Sequence, residues 1–183
     1  VCCGGIFRPK EKLLDNQKEK ERYESHTNDS NDLGYQNFVS PITNTVLDEY
    51  KKDDLGLDFG CGKDSPIVKV LRQSEYKIFE YDPYFFDDKK LLEEKYDYIA
   101  CCEVIEHFYN PKKEFELLKS LLKEKSTLYL MTGIYRDNID FSKWWYKNDL
   151  THVFIFREKT FEWIKKEFGF KNMFIEKNFI KFS

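Results

Sequence analysis

Three stretches of the chain carry residue types at spacings that could do chemistry. The first is Asp58-Phe59-Gly60-Cys61-Gly62, a carboxylate and a Gly-x-Gly turn that close an apolar run beginning at Leu55. Glycines at such a turn let backbone come close to a ligand and aim N–H groups at it near a helix start. The second is Asp82, 24 positions after Asp58, at the end of Ile78-Phe79-Glu80-Tyr81. A carboxylate beside a glycine turn can accept both hydroxyls of a ribose; a solvated turn residue ahead of Pro83 is the plainer alternative. The third is Glu103-Val104-Ile105-Glu106-His107, where two carboxylates and an imidazole stand at i, i+3 and i+4 and so share one face of a helix.

His152, in Asp149-Leu150-Thr151-His152-Val153, adds a second imidazole, expected on the acceptor side of the same sheet edge. An imidazole titrates near neutral pH, so His107 or His152 could serve as a catalytic base. Glu103, Glu106, His107 and His152 together offer two carboxylates and two imidazoles, a donor set for magnesium, manganese, iron or zinc. The plainer alternative is a polar helix start lining a pocket, with both histidines hydrogen-bonded. Just upstream of His152, Trp144-Trp145-Tyr146 could line an acceptor pocket or pack beneath the loop.

Bringing these groups together requires strands that end where they stand. Strand-like runs at Leu55 to Phe59, Lys77 to Tyr81, Tyr96 to Cys101, Thr127 to Met131, Lys171 to Glu176 and Phe179 to Phe182 alternate with helical segments. The helices are Pro66 to Arg72, Lys112 to Leu122 and Glu158 to Phe168; Ser65 and Asn110 suit their N-caps, and Gly169 suits a left-handed stop. Strands alternating with helices predict an α/β fold, a mostly parallel sheet covered on both faces. Only Lys177-Asn178 separates the last two strands, so the final one should turn back antiparallel. Upstream, residues 11 to 32 read as a charged helical arm or lid, and Gly34 to Tyr50 as a short helix with apolar residues at helical spacing. The chain thus divides into an arm over residues 1–50 and a domain over residues 51–183.

Composition narrows the function. Against 33 acidic residues stand 30 Lys and Arg, a net charge of −3, so no basic excess favours a nucleic-acid substrate. No apolar run approaches the ~20 residues of a membrane-spanning helix, and no secretory signal is visible. The five cysteines include the adjacent pairs Cys2-Cys3 and Cys101-Cys102, a poor layout for disulfides, which predicts a reducing, cytoplasmic setting. Cys2 and Cys3 lack the further ligands that a closed zinc site would need.

With Asp58-Phe59-Gly60-Cys61-Gly62, Asp82 and Tyr96-Asp97 through Glu106-His107 in this order, the chain resembles the class I S-adenosylmethionine-dependent methyltransferases from about Leu55 to Phe182. The resemblance implies a three-layer Rossmann-like fold, with a seven-stranded sheet whose last strand is antiparallel. It implies S-adenosylmethionine as cofactor, held by Asp58, Gly60, Cys61, Gly62, Asp82, Pro83 and Glu103, with Tyr84 beside the adenine. The Glu-x-x-Glu-His run with a later His is similar to the metal site of small-RNA terminal 2′-O-methyltransferases and of some quinone-pathway O-methyltransferases.

Three departures from the family pattern stand out. Only 14 positions separate Asp82 from Tyr96, so the family's third strand and helix must be shortened or missing. Leu150 replaces the proline of the family's Asp-Pro-Thr-His-Val, and Asp64 replaces a glycine. The last change also disfavours a nicotinamide-dependent oxidoreductase, whose pyrophosphate turn needs a third glycine. Tyr81-Asp82-Pro83-Tyr84 looks like the Asp-Pro-Pro-Tyr box of amino-methyltransferases but follows the wrong strand. Arg22-Tyr23 with His26 and Asn28 is similar to a pattern in some members, which implies an arm folded over the cofactor; a solvated helix is the plainer alternative for Tyr23 and His26. The expectation is a methyltransferase acting, through O-methylation, on a small-molecule acceptor. A catalytically silent module that keeps the fold is the rival.

Overall fold

The computed structural model describes residues 3–25 and 29–183, so Cys2, His26 and Asn28 lie outside the described residues. Strand β1 (Ile6–Phe7) is followed by helices α1 (Asn16–Glu24) and α2 (Leu33–Glu49). Each helix starts on an aspartate that accepts backbone N–H groups: Asp15 from Lys18, and Asp32 from Gly34 and Tyr35. Then come β2 (Leu55–Phe59), α3 (Pro66–Gln73), β3 (Lys77–Tyr81), β4 (Tyr96–Cys102), α4 (Pro111–Leu121) and β5 (Leu122–Met131). Strand β6 (Phe154–Ile155), α5 (Glu158–Glu167), β7 (Met173–Glu176) and β8 (Phe179–Phe182) complete the chain. Ser65 and Asn110 cap α3 and α4 as their side-chain chemistry suggests, each followed by a proline whose missing N–H costs nothing at that position.

The main sheet has the order β3-β2-β4-β5-β8-β7. Strands β2 to β5 run parallel, and β8 runs antiparallel to both β5 and β7, the reversal expected from the two-residue turn at Lys177-Asn178. Side chains alternate across the sheet. Tyr98 and Ala100 of β4 face a layer built from Val39, Ile42 and Val46 of α2 and Ile67, Val68 and Leu71 of α3. Ile99 and Cys101 face the opposite layer, with Phe115 and Leu118 of α4 and Phe161 and Ile164 of α5. Three layers result, and α2 is part of one of them.

Three expectations need correction. The main sheet has six strands, not seven, because the residues after Asp82 form only an Asp82–Phe86 bridge and a 3₁₀ turn at Lys89–Leu92, too short a path for a strand and its helix. That leaves β3 on the sheet edge. Strand β5 starts at Leu122, directly after α4, and reaches its main register through an irregularity in which Lys125 takes a φ of 61°. Among the described residues of 11 to 32, only Asn16–Glu24 is α-helical, with a 3₁₀ turn at Lys10–Lys12 ahead of it.

Candidate functional site

The carboxyl ends of β2, β3 and β4 open into one cavity of about 800 Å³. Its first half is backbone built on strand ends. Gly60 and Gly62 take φ of 79° and 67°, the left-handed region that L side chains resist, and a Cβ on Gly60 would stand 2.6 Å from the methyl groups of Val104. The Gly60 and Cys61 N–H groups donate to the Tyr81 carbonyl at 2.7 and 3.2 Å, sewing the turn to the end of β3. Asp82 continues that strand into the cavity wall. Its carboxylate is buried and accepts backbone N–H groups from Gly62 at 3.1 Å, Tyr84 at 2.8 Å and Phe85 at 3.2 Å. Pro83 and Tyr84 line the cavity beside it.

Beneath the turn, the fully buried Asp58 accepts a 2.5 Å hydrogen bond from Ser65 Oγ, which in turn accepts the Val68 N–H and so caps α3. Burial pushes the Asp58 carboxyl up to about 7, against the hydrogen bond from Ser65. Cys61 lines the wall as a thiol, its pKa raised by burial. Asp64, where the family pattern has a glycine, accepts the Ser30 N–H at 2.8 Å and ties the approach to α2 onto the glycine turn.

Side chains from distant parts of the chain form the second half. The expected helix at Glu103 to His107 is a single 3₁₀ turn, Ile105–His107. Glu103 precedes it with a φ of 52°, outside the regular geometry that would have lined it up with its neighbours. Glu106, His107 and His152 come together with one ligand atom each, all within 4.8 Å of one another; Glu103 is not in that group. It lies beside Glu106 and Tyr146 and lines the cavity wall, and burial raises both carboxyls.

Each imidazole is held by a backbone carbonyl. His107 Nδ1 lies 2.9 Å from the Thr151 oxygen, and His152 Nδ1 lies 2.7 Å from the Tyr146 oxygen. A carbonyl only accepts, so each Nδ1 carries the proton, and a neutral ring keeps its lone pair on Nε2. Burial lowers the pKa of His152 and favours that neutral ring, although the Glu106 carboxylate 4.0 Å from its Nε2 acts the other way. Glu106 in turn accepts from Tyr146 Oη at 2.5 Å and Thr132 Oγ1 at 3.0 Å.

Tyr146 and Thr132 were not individually legible in the sequence. Of the tryptophans, Trp145 lines the cavity and is 71% exposed, whereas Trp144 packs against Tyr135, Phe141 and Tyr146. Asp149 accepts from Thr151 Oγ1 and Arg22 of α1, which hold its carboxyl well below the usual range despite its burial.

Residues 33–173 match the model of the methyltransferase domain family, while no curated protein matches the chain. Among solved structures, a methyltransferase from Archaeoglobus fulgidus is 19% identical with a TM-score of 0.59, over 88% of this chain and 77% of that one. Magnesium protoporphyrin IX methyltransferase from Synechocystis is 15% identical, TM-score 0.52, over 91% and 93%. Human N-acetylserotonin methyltransferase is 11% identical, TM-score 0.58, over 92% of this chain but 56% of its own length, so the chain spans little more than half of that enzyme. At these identities the structures share the fold alone, and the matched domain carries the assignment: the chain belongs to the methyltransferase domain family, the S-adenosylmethionine-dependent class I methyltransferases that its motifs resemble.

Proposed function

We propose that this protein transfers the methyl group of S-adenosylmethionine to an oxygen of a small-molecule acceptor. One observation carries the reading: the glycine turn with Asp82 and the imidazoles of His107 and His152, each held at Nδ1 by a backbone carbonyl, line the same cavity. Bound S-adenosylmethionine would supply an electrophilic methyl on its sulfonium, so the protein's main task is alignment. In this reading Asp82 accepts the ribose hydroxyls, Gly60 and Gly62 leave room for close approach, and Pro83 and Tyr84 flank the base. His107 or His152 takes the acceptor's proton on Nε2 while its Nδ1–H stays on a carbonyl. The Glu106 carboxylate, 4.0 Å from His152 Nε2, would stabilise the imidazolium. A small acceptor fits the net charge of −3, since the chain has no surplus of cations to hold a polyanion.

A second reading adds a divalent metal on Glu106, His107 and His152. The carbonyl contacts at both Nδ1 atoms favour it, because metal-ligating histidines commonly donate their other N–H in this way. One carboxylate and two imidazoles suit manganese, iron or zinc better than magnesium. A bound ion would lower the pKa of an acceptor hydroxyl. Metal analysis of protein purified without chelator, beside Glu106→Ala, tests this. Equal, near-zero metal in both, with turnover unchanged by EDTA, would leave the two histidines as pocket residues.

The main reading is tested by incubating the protein with S-adenosylmethionine labelled in the methyl group and a panel of small phenols, catechols and amines. Label should appear in an O-methylated small product. Label on nitrogen would overturn the O-methylation. Tight binding of S-adenosylhomocysteine with no transfer to any acceptor class would instead favour a silent binding module.

A further inference from the structure

Helix α1 lies over the cavity, yet almost nothing apolar holds it there. Its sequence, Asn-Gln-Lys-Glu-Lys-Glu-Arg-Tyr-Glu, contains one aromatic, and among its described side chains only Glu19 is buried, at 4% exposure. A carboxylate is the least expected residue to bury on so polar a helix. Its partners explain the position. Tyr23 Oη, one turn along α1, donates to Glu19 Oε1 at 2.8 Å, and Tyr109 Oη donates to Glu19 Oε2 at 3.2 Å. Tyr84 joins this group through the Tyr23 ring, and its hydroxyl is held above the usual range by burial and then by the Glu19 charge.

These tyrosines come from both halves of the site. Tyr84 follows Asp82 by two residues and donates its backbone N–H to the Asp82 carboxylate. Tyr109 follows His107 by two. The Tyr23 ring stands against both, 5.4 Å from the Tyr84 ring and 5.4 Å from the His107 ring. Two polar contacts flank this centre: Arg22 to Asp149 at 2.8 Å, and Lys63 of the glycine turn to the Glu24 carbonyl at 3.0 Å.

We propose that Glu19 is a positioning residue that latches α1 across the cavity, joining the ribose side, where the Tyr23 ring it holds meets Tyr84, to the acceptor side through Tyr109, so that cofactor exchange requires the latch to open. The inference rests on the cofactor site proposed above. A helix docked by a few polar contacts opens readily, since partly exposed ion pairs add little stability. Glu19 touches none of the reacting groups; it acts by holding Tyr23, Tyr84 and Tyr109 in one arrangement.

The test measures the dissociation rate of S-adenosylhomocysteine, and hydrogen exchange over residues 16–25 with and without it, in the wild type, Glu19→Ala, Glu19→Gln and the exposed control Lys20→Ala. Glu19→Ala should release the ligand about tenfold faster or more, the loss of at least one charge-assisted hydrogen bond. Ligand-induced protection of α1 should vanish with it, while the melting temperature of the unliganded protein stays close to wild type. Glu19→Gln keeps the shape and loses the charge, so its rate should fall between the two, and Lys20→Ala should match wild type. Unchanged dissociation and protection in a folded Glu19→Ala or Glu19→Gln protein would overturn the latch alone. A wild type that does not bind S-adenosylhomocysteine would overturn the latch and the cofactor site together.

Discussion

The two halves of the cavity are built by different means. The cofactor half consists of strand ends and backbone: residues of one short stretch, Asp58 to Ser65, are joined to Asp82 by hydrogen bonds that follow from strand pairing. The acceptor half consists of side chains brought from four separate regions, with Glu106 bonded to Thr132 and Tyr146, His107 to the carbonyl of Thr151, and Asp149 to Arg22. The first design repeats wherever the same strand and turn recur. The second depends on loops and an arm that can change without disturbing the sheet, as expected of the part of an enzyme that chooses its substrate.

Substituting Asp82 should give the largest separation between the halves. Its carboxylate accepts three backbone N–H groups, and it is the group proposed to meet the ribose. Asp82→Ala should weaken S-adenosylhomocysteine binding by about 3–6 kcal/mol, taking two lost hydrogen bonds to a charge at about 1.5–3 kcal/mol each. His152→Ala should leave that affinity within about threefold and remove turnover. Calorimetric titration of both variants checks the contrast, and a comparable loss of affinity in His152→Ala would show that the halves are not separable.

The same contrast decided how much could be read from sequence. The main-sheet strands apart from the start of β5, both N-caps, the antiparallel final strand and the glycine turn were legible because each follows from neighbouring residues or a two-residue periodicity, whereas the short β1 and β6 were not. The metal-type cluster was legible in residue type but not in membership. Helical spacing puts Glu103 on the same face as Glu106 and His107, but its left-handed backbone ends that register and only a 3₁₀ turn follows. Glu19 and Thr132 carried no signal, and Tyr146 was legible only as part of an aromatic run, since their roles depend on contacts with residues 90, 26 and 40 positions away. The missing strand was announced by a short interval, yet the resemblance still implied seven strands.

The pH dependence of stability offers a second test, confined to the cofactor half. Burial raises the Asp58 carboxyl from 3.8 to about 7. A group whose folded-state pKa is raised contributes stability that is fully present below its unfolded pKa and is lost as pH rises through the folded value. Asp58 should therefore make the unliganded protein less stable as pH goes from about 4 to about 7, by on the order of 4 kcal/mol at 1.36 kcal/mol per unit. Asp58→Asn, which cannot ionise, should flatten that slope in urea unfolding measured across the window. An unchanged slope would mean that Asp58 is not held protonated under the glycine turn.

The smallest of these effects tests the acceptor half by itself. Tyr146→Phe keeps the ring 4.2 Å from the His152 ring and keeps the backbone carbonyl that takes the His152 Nδ1–H. It removes the hydroxyl that donates to Glu106 at 2.5 Å and meets Thr132 Oγ1 at 3.0 Å. The buried carboxylate is then left with Thr132 as its remaining side-chain donor, which should cost about 1.5–3 kcal/mol of stability. The glycine turn and Asp82 make no contact with this hydroxyl, so S-adenosylhomocysteine affinity should change less than about twofold. Urea unfolding and calorimetric titration on one preparation measure both quantities. A drop in affinity as large as the drop in stability would mean that Tyr146 supports the whole cavity rather than its acceptor side, because the network around Glu106 would then be setting the position of the glycine turn.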